Sequence, residues 1–339
     1  VTTPSSDGTT PDETAQNSTD SVSAAPVELV RVIRSGFHEC SHYGAIVVTD
    51  ADGTVLHSRG DVTTPVFPRS SNKPFQSLAM LAAGAGLRDA DLALASASHS
   101  GEAAHTDRVH AMLAAVGLSE ADLRCPVALP LNEATRNDVI RAGGSAQRVY
   151  MNCSGKHAGM LAACVAAGWD LESYLDPAHP LQKAIFEQVA KMSGETPTAT
   201  GIDGCGAPLY AISLTGLARA FGRMTSAAVG TPERTVADAM RAYPDMVGGT
   251  GRDDTLLMAG IPGLLVKGGA EGVHTAALAD GRGVAVKIQD GGDRARMPAL
   301  VAGLRYLGVT GDVLDQLGTG TILGGGIPVG TVALAPDVF

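Results

Sequence analysis

A serine and a lysine stand three residues apart in Pro68-Arg69-Ser70-Ser71-Asn72-Lys73-Pro74-Phe75-Gln76. Pro74 has no N–H to donate, so it suits only the first turn of a helix, which should begin near Ser70 to Asn72. Residues three apart at a helix start share a face. Ser70 Oγ and Lys73 Nζ can then meet, and a neutral lysine amine can take the serine proton. The same spacing occurs in the S-x-x-K serine amidohydrolases. Four more stretches share this character, with reactive side chains amid small residues where an apolar run meets a helix or strand. They are Ser98-His99-Ser100, Cys153-Ser154-Gly155-Lys156-His157, Asp203-Gly204-Cys205 and Lys267-Gly268-Gly269. Each alone has a plainer explanation: a capped helix with an exposed Lys73, an N-cap cluster at Ser98 to Ser100, buried thiols beside a surface lysine, or a strand-end Lys267 in solvent. Together they point to amide hydrolysis by serine and lysine.

That chemistry makes definite demands. An amide carbonyl is a poor electrophile, so the enzyme needs an activated hydroxyl and donors for the oxyanion. A lysine with a reference pKa of ~10.4 cannot act as a base until burial, a second lysine or a bound cation lowers it. Lys73 and Lys267 in one pocket would disfavour double protonation. Arg69 could pair a substrate carboxylate in bidentate fashion. Arg252, in Gly249-Thr250-Gly251-Arg252, is a weaker candidate for a pocket contact.

The elements that must position these residues can be read from hydrophobic periodicity and turn residues. Strands are predicted over 27–33, 45–49 and 54–58, the last two joined as a hairpin through Asp50-Ala51-Asp52-Gly53. The Ser70 helix runs to about Gly84 and a short apolar run covers 91–97. Helices are predicted over 104–116, 158–167, 180–192, 209–221, 232–241, 253–258 and 297–307. A short strand is expected over 149–152, and a strand pair over 273–278 and 284–289. The segment 126–132 reads as a loop. The string His38-Glu39-Cys40-Ser41-His42 matches H-E-x-x-H, but a zinc site of that kind needs a stable helix, and Gly36 and the strand after Gly44 leave no room for one. Glu39 and His42 are expected at a strand entrance near the pocket.

The chain has 339 residues, 45% hydrophobic and 18% charged, so it can bury a large core. Its net charge of −10 argues against nucleic acid and anionic membrane surfaces as partners. No apolar run approaches the ~20 residues of a membrane span. Five cysteines, thinly spread, do not resemble a disulfide framework. A reducing, cytoplasmic setting fits them. Residues 1–26 lack Lys and Arg and are expected to be a disordered acidic tail. A single catalytic domain is expected over 27–334, with a C-terminal tail over 335–339.

The set Arg69-Ser70-x-x-Lys73-Pro74, Ala97-Ser98-His99-Ser100, Asn152-Cys153-Ser154-Gly155-Lys156-His157, Asp203-Gly204-Cys205 and Val266-Lys267-Gly268 closely resembles the class 3, rhizobial-type L-asparaginases, the asparaginase II family. The resemblance spans about Val27 to Leu334, and Asn-Cys-Ser-Gly-Lys-His is its most specific piece. It implies an α/β (α+β) fold similar to serine β-lactamases and penicillin-binding proteins, with an antiparallel sheet from both chain ends and a helical region. It implies hydrolysis of L-asparagine, with Ser70 and Lys73 as one pair and Ser98 with Lys267 as a second. Cys153, Lys156 and Cys205 match the family's zinc ligands, Asp203 the residue beside the metal, and Arg69 and His157 positions near the substrate. Two thiolates would favour Zn²⁺ over hard cations, although lysine coordinates only as a neutral amine. Family members tend to be homodimers. The rival readings are a related serine amidase, such as a glutaminase or a penicillin-recognising hydrolase, and a zinc- or ligand-binding module that has kept the fold without turnover.

Overall fold

The computed structural model describes residues 26–339. Apart from Pro26, the tail expected over 1–26 lies outside the described residues. The strand β1 (Val27–Arg34) buries Leu29, Val30 and Val32 and turns back through Ser35-Gly36 into β2 (Phe37–Thr49). Both turn residues have positive φ, 48° and 78°, the backbone that a tight two-residue hairpin needs. The second half of β2, Ala45 to Thr49, is buried throughout, as expected of a central strand covered on both faces.

Around β2 lie β3 (Val55–Arg59), β6 (Leu265–Gly268), β7 (Val273–Ala277), β8 (Gly283–Ile288), β9 (Gly320–Gly324) and β10 (Ile327–Leu334), while β4 (Thr200–Ile202) and β5 (Pro208–Tyr210) make a separate two-stranded ribbon. The main sheet is antiparallel in the order β6-β7-β8-β2-β1-β10-β9, with β3 also paired to β2. Strands from both chain ends meet in it, with Val30 opposite Leu334 and Ile46 opposite Val286. This is the mixed α/β architecture that the resemblance implied, with a sheet drawn from both chain ends. The final residues lie against the fold: Val338 is buried, its carbonyl takes a hydrogen bond from His57 Nε2 at 2.7 Å, and Phe339 stacks on His57.

Twelve helices lie among the described residues: α1 (Lys73–Ala82), α2 (Asp89–Ala95), α3 (Ala103–Ala114), α4 (Glu133–Arg141), α5 (Ser154–Ala167), α6 (Pro180–Ser193), α7 (Leu214–Ser226), α8 (Pro232–Ala242), α9 (Pro244–Val247), α10 (Asp253–Gly260), α11 (Asp293–Tyr306) and α12 (Asp312–Leu317). α7 and α11 both pack on the sheet, while α1 is enclosed by α5, α6 and α8 in the helical region. Several expectations are corrected. The strand expected over 149–152 is a run of turns, because Val149 N bonds Glu120 Oε1 and Val149 O takes the Ser154 hydroxyl, leaving nothing for a neighbouring strand. The apolar run 91–97 belongs mostly to a helix, α2. The helix expected from 209 begins at Leu214, after β5, where the Ser213 hydroxyl caps Gly216 N. α4 had no periodic signal because it buries no residue.

Candidate active site

Ser70 sits in a 3-10 turn, Arg69–Asn72, that runs straight into α1. Arg69 has φ 52°, a left-handed backbone that costs a non-glycine residue about 1–3 kcal/mol. Neighbouring groups hold the turn in place. Arg69 Nε donates to Asp203 Oδ1 at 2.7 Å, and Ser71 Oγ donates to the Lys267 carbonyl at 2.9 Å. A Cβ on Gly269 would lie 2.6 Å from Pro68 O, so glycine is needed there for β6 to approach the turn.

Ser70, Ser98 and Lys267 line one cavity of about 680 Å³, together with Asn152, Arg252 and His274. Lys73 is almost fully buried behind them. Its amine donates to Ser98 Oγ at 3.0 Å and to the Ala97 carbonyl. The pairing therefore differs from the expected one. Lys73 bonds Ser98, while the Ser70 hydroxyl has no hydrogen bond among the described residues. The reason is local: Lys73 opens α1, and the loop after α2 brings Ala97 and Ser98 directly over its amine. Lys267 does not bond Ser98 either. Its amine donates to Asp254 Oδ2 at 3.2 Å and to Gly268 O at 2.7 Å. Burial lowers the Lys267 pKa to about 8, and Lys73 pushes the same way against the Asp254 carboxylate. Asp254 itself is brought well below the usual carboxylate range, since Lys267 and His274 overcome the burial that would raise it.

The second cluster lies at the start of α5. Lys156 Nζ is 3.0 Å from Cys205 Sγ, and the Cys153 thiol faces both Cys205 and Asn152 Oδ1. The hydrogen bond from Cys153 and the charge on Lys156 pull the Cys205 thiol far below its ordinary range, while that bond and burial push Cys153 far above it. Burial works against the Lys156 charge, but the thiolate beside it raises its pKa overall. His157 Nδ1 and Tyr174 Oη are 2.7 Å apart, and its buried Nε2 faces the Cys205 thiol. Gly155 makes this close fit possible, since a Cβ there would lie 2.6 Å from Leu94 O. Cys205 also contacts Asp203 Oδ2 at 3.7 Å, which links this cluster to Arg69 and so to Ser70. Lys73 acts electrostatically on both Lys267 and Cys153, which couples the two groups.

The chain matches the L-asparaginase II family over residues 30–334. It belongs to that family. Membership makes it a hydrolase of the amidohydrolase kind with a small-molecule substrate. No curated protein matches it. Solved structures with similar backbones include a putative β-lactamase from Bacteroides dorei DSM 17855, 16% identical, covering 78% of this chain and 92% of that one with a TM-score of 0.44. A β-lactamase from Mycobacterium bovis is 12% identical over 78% and 93% of the two chains, with a TM-score of 0.43. Mglu in its native form is 14% identical over 78% of this chain and 63% of that one, with a TM-score of 0.41. Overlaps this loose say nothing about chemistry.

Arg69 already faces two carboxylates, Asp203 Oδ1 at 2.7 Å and Glu271 Oε1 at 3.5 Å, and with Glu271 and Lys287 it lines a neighbouring cavity. His38 and His42 stand on the strand β2. His42 pairs with Asp290 at 2.7 Å and receives Arg294 Nε at 3.0 Å, and Arg294 does line the Ser70 cavity. Among the described residues no three His, Cys, Asp or Glu side chains gather as a metal-ligand set; the Cys-Cys-Lys group is of another composition. Also among these residues, no helix is long and apolar enough to cross a membrane. Sequence reasoning missed Asp254, His274 and Ser71. Asp254 follows Arg252 at a helix start, and only that proximity to Gly249-Thr250-Gly251 hinted at it.

Proposed function

We propose that the chain is an L-asparaginase that hydrolyses L-asparagine to L-aspartate and ammonia through an acyl-enzyme. The observation that carries this reading is the buried Lys73 amine 3.0 Å from Ser98 Oγ, behind a cavity wall that also holds Ser70 and Lys267. Ser70 Oγ attacks the side-chain amide carbon as its proton passes to Lys73, one helical turn on. Lys73 returns a proton through Ser98 to the amide nitrogen, the C–N bond breaks and ammonia leaves. Water then attacks the ester carbonyl, its proton moves by the same route, and Ser70 is restored as aspartate departs.

Cys153, Cys205 and Lys156 would hold Zn²⁺: two sulfurs and an amine within hydrogen-bonding reach suit a borderline-soft cation, and the buried His157 Nε2 faces Cys205 beside them. When bound, the ion would orient the substrate's polar groups, with Asp203 and His157 beside it. The same reading carries a homodimer and a cytoplasmic setting, the latter in keeping with five unpaired cysteines. The test is ammonia release from asparagine by the wild type and by Ser70→Ala. Turnover should be lost in the variant. Inert asparagine with active turnover of glutamine or a β-lactam would overturn the substrate, and undiminished Ser70→Ala activity would overturn the nucleophile.

A further inference from the structure

Asp254 is tied to more partners than a surface-derived helix start requires. One oxygen receives the Lys267 amine at 3.2 Å and the other receives His274 Nε2 at 2.8 Å, while Gly268 N reaches both at 3.1 and 3.2 Å. Lys267 and His274 are each about 1% exposed, and Asp254 is buried. The three residues come from β6, β7 and α10, so the contacts join the sheet edge to the helical region at the cavity wall. Burial lowers the His274 pKa against the pull of Asp254, Nε2 is the ring nitrogen that faces Asp254, and Nδ1 has no hydrogen-bond partner among the described residues. A buried carboxylate with this many donors is an anchor: removing it would leave a lysine amine with one carbonyl to hold it.

We propose that Asp254, itself fixed by His274, is the positioning residue that holds the Lys267 ammonium at the cavity wall as a stationary cation beside Ser70 and Ser98. This rests on the serine–lysine hydrolase reading above, in which Lys73 moves protons and negative charge develops on the amide oxygen. A cation already in place needs no reorganisation when that charge appears. Division of labour between the two lysines follows from their partners: Lys73 faces a hydroxyl and a carbonyl, whereas Lys267 faces a carboxylate. The charged and titratable groups around Lys267 are Asp254 and Arg252 on and before α10, Lys73 on α1, His274 on β7, and Arg296 of α11, which lies against Gly268. Asp254 is the anion that bonds the amine; Asp253 and Asp293 line the same cavity.

The test uses the full chain with Asp254→Asn, His274→Leu and His274→Gln, the last keeping a donor where Nε2 stood. Competitive labelling with acetic anhydride across pH, read at Lys267 by mass spectrometry, reports that amine's titration without any turnover. In Asp254→Asn the midpoint should fall by about one unit or more, as for loss of a carboxylate within contact distance. Amide hydrolysis should lose roughly 100-fold in kcat with little change in KM, and its alkaline limb should move to lower pH with the labelling midpoint. His274→Leu should move the midpoint the same way, and His274→Gln should restore it. A folded Asp254→Asn protein with an unmoved midpoint overturns the proposal, whatever its activity. Should Asp254→Asn fail to fold, equal midpoints in His274→Leu and His274→Gln overturn it. An inactive wild type would count against the hydrolase reading, and the labelling would still decide the role of Asp254.

Discussion

Replacing Lys73 by Met removes the amine while keeping most of the side-chain volume at a site only 1% exposed. The amine has two partners, the Ala97 carbonyl and Ser98 Oγ. Stranding a buried carbonyl costs about 1–3 kcal/mol, offset in part because an amine no longer has to be desolvated. The fold should therefore survive, with far-UV circular dichroism unchanged and a modestly lowered Tm. Activity should not. A positioned acid–base group contributes roughly 10²–10⁴-fold, which is about 2.7–5.5 kcal/mol in the barrier. Single-turnover ammonia release, coupled to glutamate dehydrogenase, measures the chemical step directly. Acylation by asparagine should slow by that factor while binding is retained. A folded Lys73→Met protein within about threefold of the wild-type rate would mean that the amine moves no proton in the barrier-limiting step, and the catalytic reading would fall.

Two further outcomes follow from the buried cations and thiols. The Lys267 pKa is lowered from 10.5 to about 8 in the folded chain, so between those values the unfolded state holds more protons and stability rises with pH. The stability gap between wild type and Lys267→Met should shift toward the wild type by up to about 3 kcal/mol from pH 8 to pH 10.5. A gap that is flat over this window, by urea denaturation, would contradict the lowered pKa of the buried Lys267 amine. Cobalt(II) added to metal-free protein should give intense sulfur-to-metal absorption, lost in Cys205→Ser; wild type that binds no cobalt or zinc would refute the Cys153, Lys156 and Cys205 site.

The parts of this molecule legible in the sequence are those set by local rules. Pro74 placed the start of α1, so Ser70 and Lys73 were correctly put at one helix entrance. Alternating and continuous apolar runs located β1, β2, β7 and β8, and Gly36 with the strand after Gly44 put His38 and His42 on a strand, not a helix. Residue identity and spacing were enough to assign the family, because those strings are nearly all within single turns of chain.

Partnership was decided elsewhere. By spacing Lys73 could reach Ser70, yet it bonds Ser98 because α2 and the loop after it bring residue 98 over α1. Lys267 meets Asp254 and His274 because β6 pairs with β7 while α10 packs beside it, bringing together side chains 13 and 20 residues apart along the chain on three different elements. Arg69 is taken by Asp203, 134 residues away. Side-chain chemistry is written one residue at a time, but which amine faces a hydroxyl and which a carboxylate depends on distances between elements, and those exist only once the sheet and the helical region have packed.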